Sequence, residues 1–105
     1  ELTGALQLDD GSFLAAGYMP QRNAPMTPSF HNSILIKISS EGDLLWQRHY
    51  RYLEARRSFH RIRSLAAAPD GGFVMAGEVR DTFNAPFQQG WLLKVDEHGC
   101  LVPGC

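Results

Sequence analysis

The 105-residue chain is poor in lysine and cysteine and has almost no excess of charge of either sign. Ten Lys and Arg residues stand against eleven Asp and Glu, only two of the ten are Lys, and there are two Cys. A net charge near -1 removes overall basicity as an argument for nucleic acid, so we expect no nucleic-acid partner. No apolar run approaches the roughly 20 residues that a membrane helix needs, so we expect no membrane insertion.

Turn-forming residues are abundant instead. The chain contains ten Gly and six Pro, with 44% hydrophobic residues. This hydrophobic content is typical of a folded protein and argues against disorder. Together these numbers indicate a turn-rich β protein of one domain at most, or a piece of a larger one.

An internal repeat organises the sequence. The segment DGSFLAAG at 10–17 returns as DGGFVMAG at 70–77, an offset of 60 residues. The segment ILIKI at 34–38 returns as WLLKV at 91–95, an offset of 57, and Glu41-Gly42 returns at the same offset as His98-Gly99. Order and spacing persist, so we predict two copies of one unit, at 1–52 and 53–105.

Each unit reads as short strands joined by turns. Asp-Gly pairs between apolar runs at 10–11 and 70–71 are strong hairpin signals. Gly42 and Gly99 are expected to adopt positive φ in a second turn, and Gly17 and Gly77 to end their strands at a close backbone approach or a bulge. Residues 52–59 have fair helix propensity, but a loop or extended segment is favoured there. The sequence predicts an all-β fold of two four-stranded antiparallel, blade-like sheets.

Such a unit suits a β-propeller blade, in which strands are covered on both faces. Ile34, Ile36 and Ile38 share one face while Leu35 lies on the other, which fits this expectation. Two blades cannot close a ring, since propellers have 4–8. The chain is therefore a partial propeller completed by further blades of its parent chain, a unit completed by other copies, or a small sandwich.

The repeat resembles the DGG-type propeller repeats of large secreted and surface bacterial proteins, many exported by the type IX secretion route. The resemblance covers nearly the whole chain. Ser39 and Ser12 depart from it, where the second copy has Asp96 and Gly72. The matching residues are Asp10, Gly11, Phe13, Ala16, Gly17, Ile36, Lys37, Ile38, Gly42 and Trp46, then Asp70, Gly71, Gly72, Phe73, Ala76, Gly77, Leu93, Lys94, Val95, Asp96 and Gly99.

This resemblance implies a non-catalytic binding or structural module, extracellular or at the cell surface, that presents loops for glycan or protein contact. It implies no enzyme activity and no cofactor. The alternative is a fragment of a multi-blade enzyme, glycan-degrading or quinoprotein-like, whose active site is built from blades beyond these two.

Cys100 and Cys105 are five residues apart with Pro103-Gly104 between them. They form either a disulfide in an oxidising compartment or two free thiols in a cytosolic protein. The resemblance and the intervening turn favour the disulfide. The pair has no C-x-x-C spacing and no His at zinc spacing, so we predict no metal site.

Basic residues are concentrated in one stretch. This basic stretch suggests a surface that binds an anionic partner. The alternative is that the aliphatic parts of the Arg side chains cover apolar surface while the guanidinium groups remain in water. The six arginines are Arg48, Arg51, Arg56, Arg57, Arg61 and Arg63.

Two longer loops, Pro20 to Phe30 and Asp81 to Gln89, are predicted at equivalent ends of the two units. Repeat proteins concentrate binding on such loops. The residues predicted to contact a ligand are Arg22, Phe30, His31, Phe83 and Phe87.

Overall fold

The computed structural model describes residues 2–21, 30–50, 58–81 and 88–105, with no side chains for 20–21, 30–31, 58–59, 80–81 and 88. These residues form seven strands. The strands are β1 (Leu2–Gln7), β2 (Phe13–Gln21), β3 (Phe30–Ile38), β4 (Leu44–Tyr50), β5 (Ser58–Ala67), β6 (Phe73–Asp81) and β7 (Gln88–Val95).

The strands form two antiparallel sheets. β1, β2, β3 and β4 pair in that order as the first sheet, and β5, β6 and β7 as the second. One parallel pair, His31 opposite Phe59, joins β3 to β5. The all-β prediction is confirmed. The second sheet has three strands in the described part of the chain, so the prediction of four strands was wrong there: after Val95 the chain enters a turn and then a loop that a disulfide closes.

Four tight turns repeat one hydrogen-bond pattern at the predicted offsets. The Leu8 amide donates to the Ser12 carbonyl, and the Gly11 amide donates to the Leu8 carbonyl. Both bonds recur 60 residues later. The turns at 39–43 and 96–100 form the same two bonds 57 residues apart. Gly11, Gly42, Gly71 and Gly99 all have positive φ, between 76° and 96°. The turn prediction is confirmed, because only glycine adopts this backbone conformation without strain.

A β-bulge also recurs at the repeat offset. β1 shifts register against β2 between Leu2 and Gly4, opposite Gly17, and β5 shifts against β6 between Ile62 and Ser64, opposite Gly77. A Cβ on Gly77 would lie 1.9 Å from the Arg61 carbonyl oxygen, so the backbones approach closely here. The predicted bulge is therefore present.

The prediction that the strands end at Gly17 and Gly77 was wrong. β2 continues to Gln21 and β6 to Asp81, because the bulge absorbs the irregularity and pairing resumes beyond it. Pro20 and Phe30 are thus strand residues, not loop residues. Pro20 lies beyond the last pair of β1 with β2, Leu2 opposite Gly17, and so its missing N–H removes no bond to β1.

The two sheets pack face to face around one core. The first sheet contributes Leu14, Ala16, Leu35 and Tyr50, all buried. The second contributes Ile62, Phe73, Met75, Leu93 and Val95. Because successive strand residues point to opposite faces, this core uses one face of each sheet and leaves the other face outward.

Polar bonds to β5 complement this apolar packing. The Ser33 hydroxyl donates to the His60 carbonyl at 2.8 Å, in a fully buried position. The Thr3 hydroxyl donates to the Ile62 carbonyl beside the bulge. These bonds give two β5 carbonyls a side-chain donor from the first sheet. They fix β5 against β1 and β3.

Candidate functional site

The outward face of the first sheet is the repeat counterpart of the buried face of the second. Strand alternation and register place Phe13, Ala15, Ile34, Ile36 and Ile38 on this face, here called face A. Their counterparts are Phe73, Met75, Trp91, Leu93 and Val95, which pack in the core or against it. Phe13 is 39% exposed where Phe73 is 3% exposed. Ala15 and Ile34 are buried and Ile36 and Ile38 are half-buried, so face A is open chiefly at Phe13.

The outward face of the second sheet shows the converse relation. Val74, Ala76 and Leu92 lie on it, here called face B. Their counterparts Leu14, Ala16 and Leu35 are fully buried in the core. Leu92, in contrast, is 70% exposed. Faces A and B are therefore the repeat equivalents of the two faces that already pack against each other between the repeats.

A cluster of aromatic and basic side chains fixes the 96–100 turn to β4. The Tyr50 hydroxyl donates to the Gly99 carbonyl at 2.5 Å, and Arg48 Nε donates to the His98 carbonyl at 3.1 Å. The Arg48 guanidinium lies 5.4 Å from the ring centre of Trp46, at cation–π distance. Burial raises the pKa of the Tyr50 phenol, so the hydroxyl remains a donor. This end of the second sheet is thereby held against the first.

The disulfide lies next to this turn. Cys100 and Cys105 are bonded, with their Cα atoms 5.6 Å apart, which agrees with the predicted pairing. Cys100 is buried, whereas residues 101–105 are exposed. Its amide donates to Asp96 Oδ1, and its carbonyl accepts from the Asp96 amide. The covalent bond therefore ties an exposed loop to a well-anchored turn.

Three of the six predicted arginines lie in the described part of the chain, and they contact different strands. Arg48 bonds the turn beside β4, as described above. Arg61 and Arg63 lie 5.0 Å and 5.8 Å from the ring centre of Tyr18 on β2. Arg63 also forms a 2.7 Å ion pair with Glu78. The anionic-partner surface remains a prediction, and Arg51, Arg56 and Arg57 lie outside the described residues.

The turn carboxylates have structural partners. A hydrogen bond from the Ser12 hydroxyl lowers the pKa of Asp10. The Lys94 ammonium, 2.9 Å away, and the Gly72 amide lower the pKa of Asp70. Among the described residues, no group of three or more His, Cys, Asp or Glu is arranged to hold a metal ion.

The Cys100 amide, and next the His98 amide, lower the pKa of Asp96. In the first copy the Ser39 hydroxyl takes this place and accepts from the amides of Glu41 and Asp43. Ser39 departs from the repeat pattern in residue type but accepts hydrogen bonds from the two equivalent turn amides, as Asp96 does.

The predicted ligand-contact residues are not brought together by anything the structure describes. Arg22, Phe83 and Phe87 lie outside the described residues. Phe30 and His31 belong to β3, but their side chains are not described. This set of contacts remains a prediction.

Sequence reasoning missed the exposed residues of face B. The available signal was that Leu92 occupies the repeat position of Leu35, in a strand that is apolar on both faces.

No family model, no curated protein and no solved structure matches the chain. Within the described residues, no helix has the length and apolar character to cross a membrane.

Proposed function

We propose that the chain is a non-catalytic binding and structural module, two blades of a β-propeller. Faces A and B receive further blades of the same kind. The module belongs to a secreted or cell-surface bacterial protein and presents its loops to a glycan or a protein. Supporting this, β2 and β6 end at equivalent repeat positions, Gln21 and Asp81, so the chain leaves both strands at equivalent points of the repeat.

One observation carries the proposal: the residue patterns of faces A and B repeat those of the two faces that pack together in the core. The first sheet docks its Leu14 face on the Phe73 face of the second. Face B repeats the Leu14 pattern and face A repeats the Phe73 pattern, so a third unit can dock on either side by the same packing. Docking of another unit would remove these outward apolar side chains from water, and this burial stabilises the docked state.

The proposed extracellular or cell-surface location is based on the Cys100–Cys105 disulfide and on the resemblance to DGG-type propeller repeats. Disulfides persist in oxidising compartments, which suits a secreted or surface protein. The DGG-type repeat is typical of such proteins.

Self-association of the 105-residue chain tests the face proposal. Because faces A and B are both on one molecule, copies associate head to tail, and sedimentation velocity will show mass rising with concentration. Phe13→Arg on face A and Leu92→Arg on face B each place a charge in the contact. We expect either variant to stay monomeric at concentrations where the wild type associates.

Val102→Arg is the matched control. Val102 is as exposed as Leu92, at 70%, but lies in the disulfide loop and on neither face. It should associate like the wild type. A wild-type chain that is monomeric at all concentrations would contradict the proposal, as would equal loss of association in the control.

A further inference from the structure

In the part of the chain that the structure describes, no strand lies on the outer edge of β7, whereas its repeat counterpart is paired there. β7 corresponds to β3, with Leu92 at the position of Leu35. β3 pairs with β2 on one side and with β4 on the other. Within the described residues, β7 pairs with β6 alone. Its second edge therefore presents backbone N–H and C=O groups that no strand described here satisfies.

Residues 101–105 cannot supply this strand while the disulfide is closed. At the offset of 57, residues 101–105 correspond to the first five residues of β4. Five steps of an extended strand, from residue 100 to residue 105, span roughly 17 Å. The disulfide holds the two Cα atoms 5.6 Å apart, and Gly104 has a positive φ of 82°. This segment turns back instead of running along β7.

The edge of β7 also lacks the features that protect other edges. β1 and β4 both carry a register shift, which twists an edge away from new partners. β7 has eight residues in unbroken register with β6 and contains no proline. Its one charged side chain, Lys94, is paired with Asp70. Such an edge is a template for strand addition.

We propose that the edge of β7 that is unpaired among the described residues is a docking site for an extended strand supplied from outside residues 1–105. The occupant has the character of β4, because β4 is what covers the equivalent edge of β3. In that pairing Arg48 lies opposite Leu35 and Trp46 lies opposite Lys37. The donated strand accordingly places a long basic residue opposite Leu92 and an aromatic residue opposite Lys94. Main-chain bonds give the affinity, and the alternate side chains give the specificity.

The test uses a synthetic peptide with the sequence of Leu44–Tyr50, labelled at its N-terminus with a fluorophore. It is titrated into the oxidised Phe13→Arg variant and followed by fluorescence anisotropy. Phe13 is on the other sheet, so strand binding is measured apart from face association and does not depend on the proposed function. We expect saturable binding and slower hydrogen exchange of β7 amides.

Two peptides with N-methylated backbone amides are the controls. One is methylated at every second residue of the Leu44–Tyr50 sequence, and the other is methylated at the residues in between. Their side chains are unchanged, and only one set of amides can face the β7 edge. We expect one peptide to bind more than about tenfold more weakly and the other to bind within about threefold of the parent. Equal binding by both peptides, exchange protection outside β7, or no binding would overturn the proposal.

Discussion

Replacing Gly77 by alanine tests the close approach at the repeated bulge. Gly77 on β6 lies opposite Ile62, where β5 shifts register. An added Cβ would lie 1.9 Å from the Arg61 carbonyl oxygen and 2.9 Å from the Ile62 Cα. Both neighbours are backbone atoms, so no side chain can rotate away. The strands must separate by more than about 1 Å to restore ordinary contact.

The expected loss of stability follows from two opposing effects. Overpacking of this kind destabilises by about 1–3 kcal/mol, and more when backbone must move. Alanine also restricts the unfolded chain, which returns about 0.4–1 kcal/mol. The difference between the two effects is a fall in the free energy of unfolding of about 0.5–2.5 kcal/mol. For a domain of this size the Tm falls by roughly 4 °C for each kcal/mol.

Gly90→Ala on β7 is the matched control. It is also a strand glycine, but nothing lies within 4 Å of the added Cβ. Its stability should be unchanged or higher by about 0.5 kcal/mol, since glycine weakens a strand interior. Urea unfolding followed by tryptophan fluorescence measures both variants. If Gly77→Ala is as stable as Gly90→Ala, the close approach at the bulge is refuted.

Three further predictions concern the packed end of the second sheet. Tyr50→Phe leaves the Gly99 carbonyl without its buried donor and should lower the free energy of unfolding by about 1–3 kcal/mol in urea titration; no change would show that this bond does not couple the sheets. The pKa of Asp70 is below 3.8 in the fold, so its contribution to stability is present above pH 3.8 and is lost as pH falls through the folded value. Urea midpoints between about pH 2 and 5 should therefore fall less steeply for Asp70→Asn than for the wild type, and equal slopes would contradict this. Opening the Cys100–Cys105 disulfide should lower stability by about 2 kcal/mol, the value for so short a loop, and an unchanged urea midpoint under reducing conditions would oppose it.

The features predicted from the sequence are those set by local chemistry. A glycine with positive φ and a short polar residue at the start of a turn are visible in any one turn, and the offsets of 60 and 57 then identify the repeat. Ser39 and Asp96 illustrate the limit of a residue-by-residue comparison. They differ in type, yet each accepts hydrogen bonds from two turn amides.

The remaining features depend on contacts between distant parts of the chain. The bulges were anticipated at Gly17 and Gly77, but the longer strands were not, because pairing beyond a bulge depends on the partner strand. Among the described residues the second sheet has no fourth strand, since the Cys100–Cys105 disulfide prevents residues 101–105 from extending along β7. The Tyr50 bond to Gly99 joins residues 49 positions apart and has no local signature.

The most direct test of the central claim is the mass of a mixture of the Phe13→Arg and Leu92→Arg variants, measured by native mass spectrometry. Each variant keeps one intact face, and the two intact faces are complementary. If faces A and B pack against each other as their repeat equivalents do in the core, the monomeric variants combine into a 1:1 heterodimer that goes no further. A mixture that remains monomeric, or homodimers of either variant alone, would contradict the account.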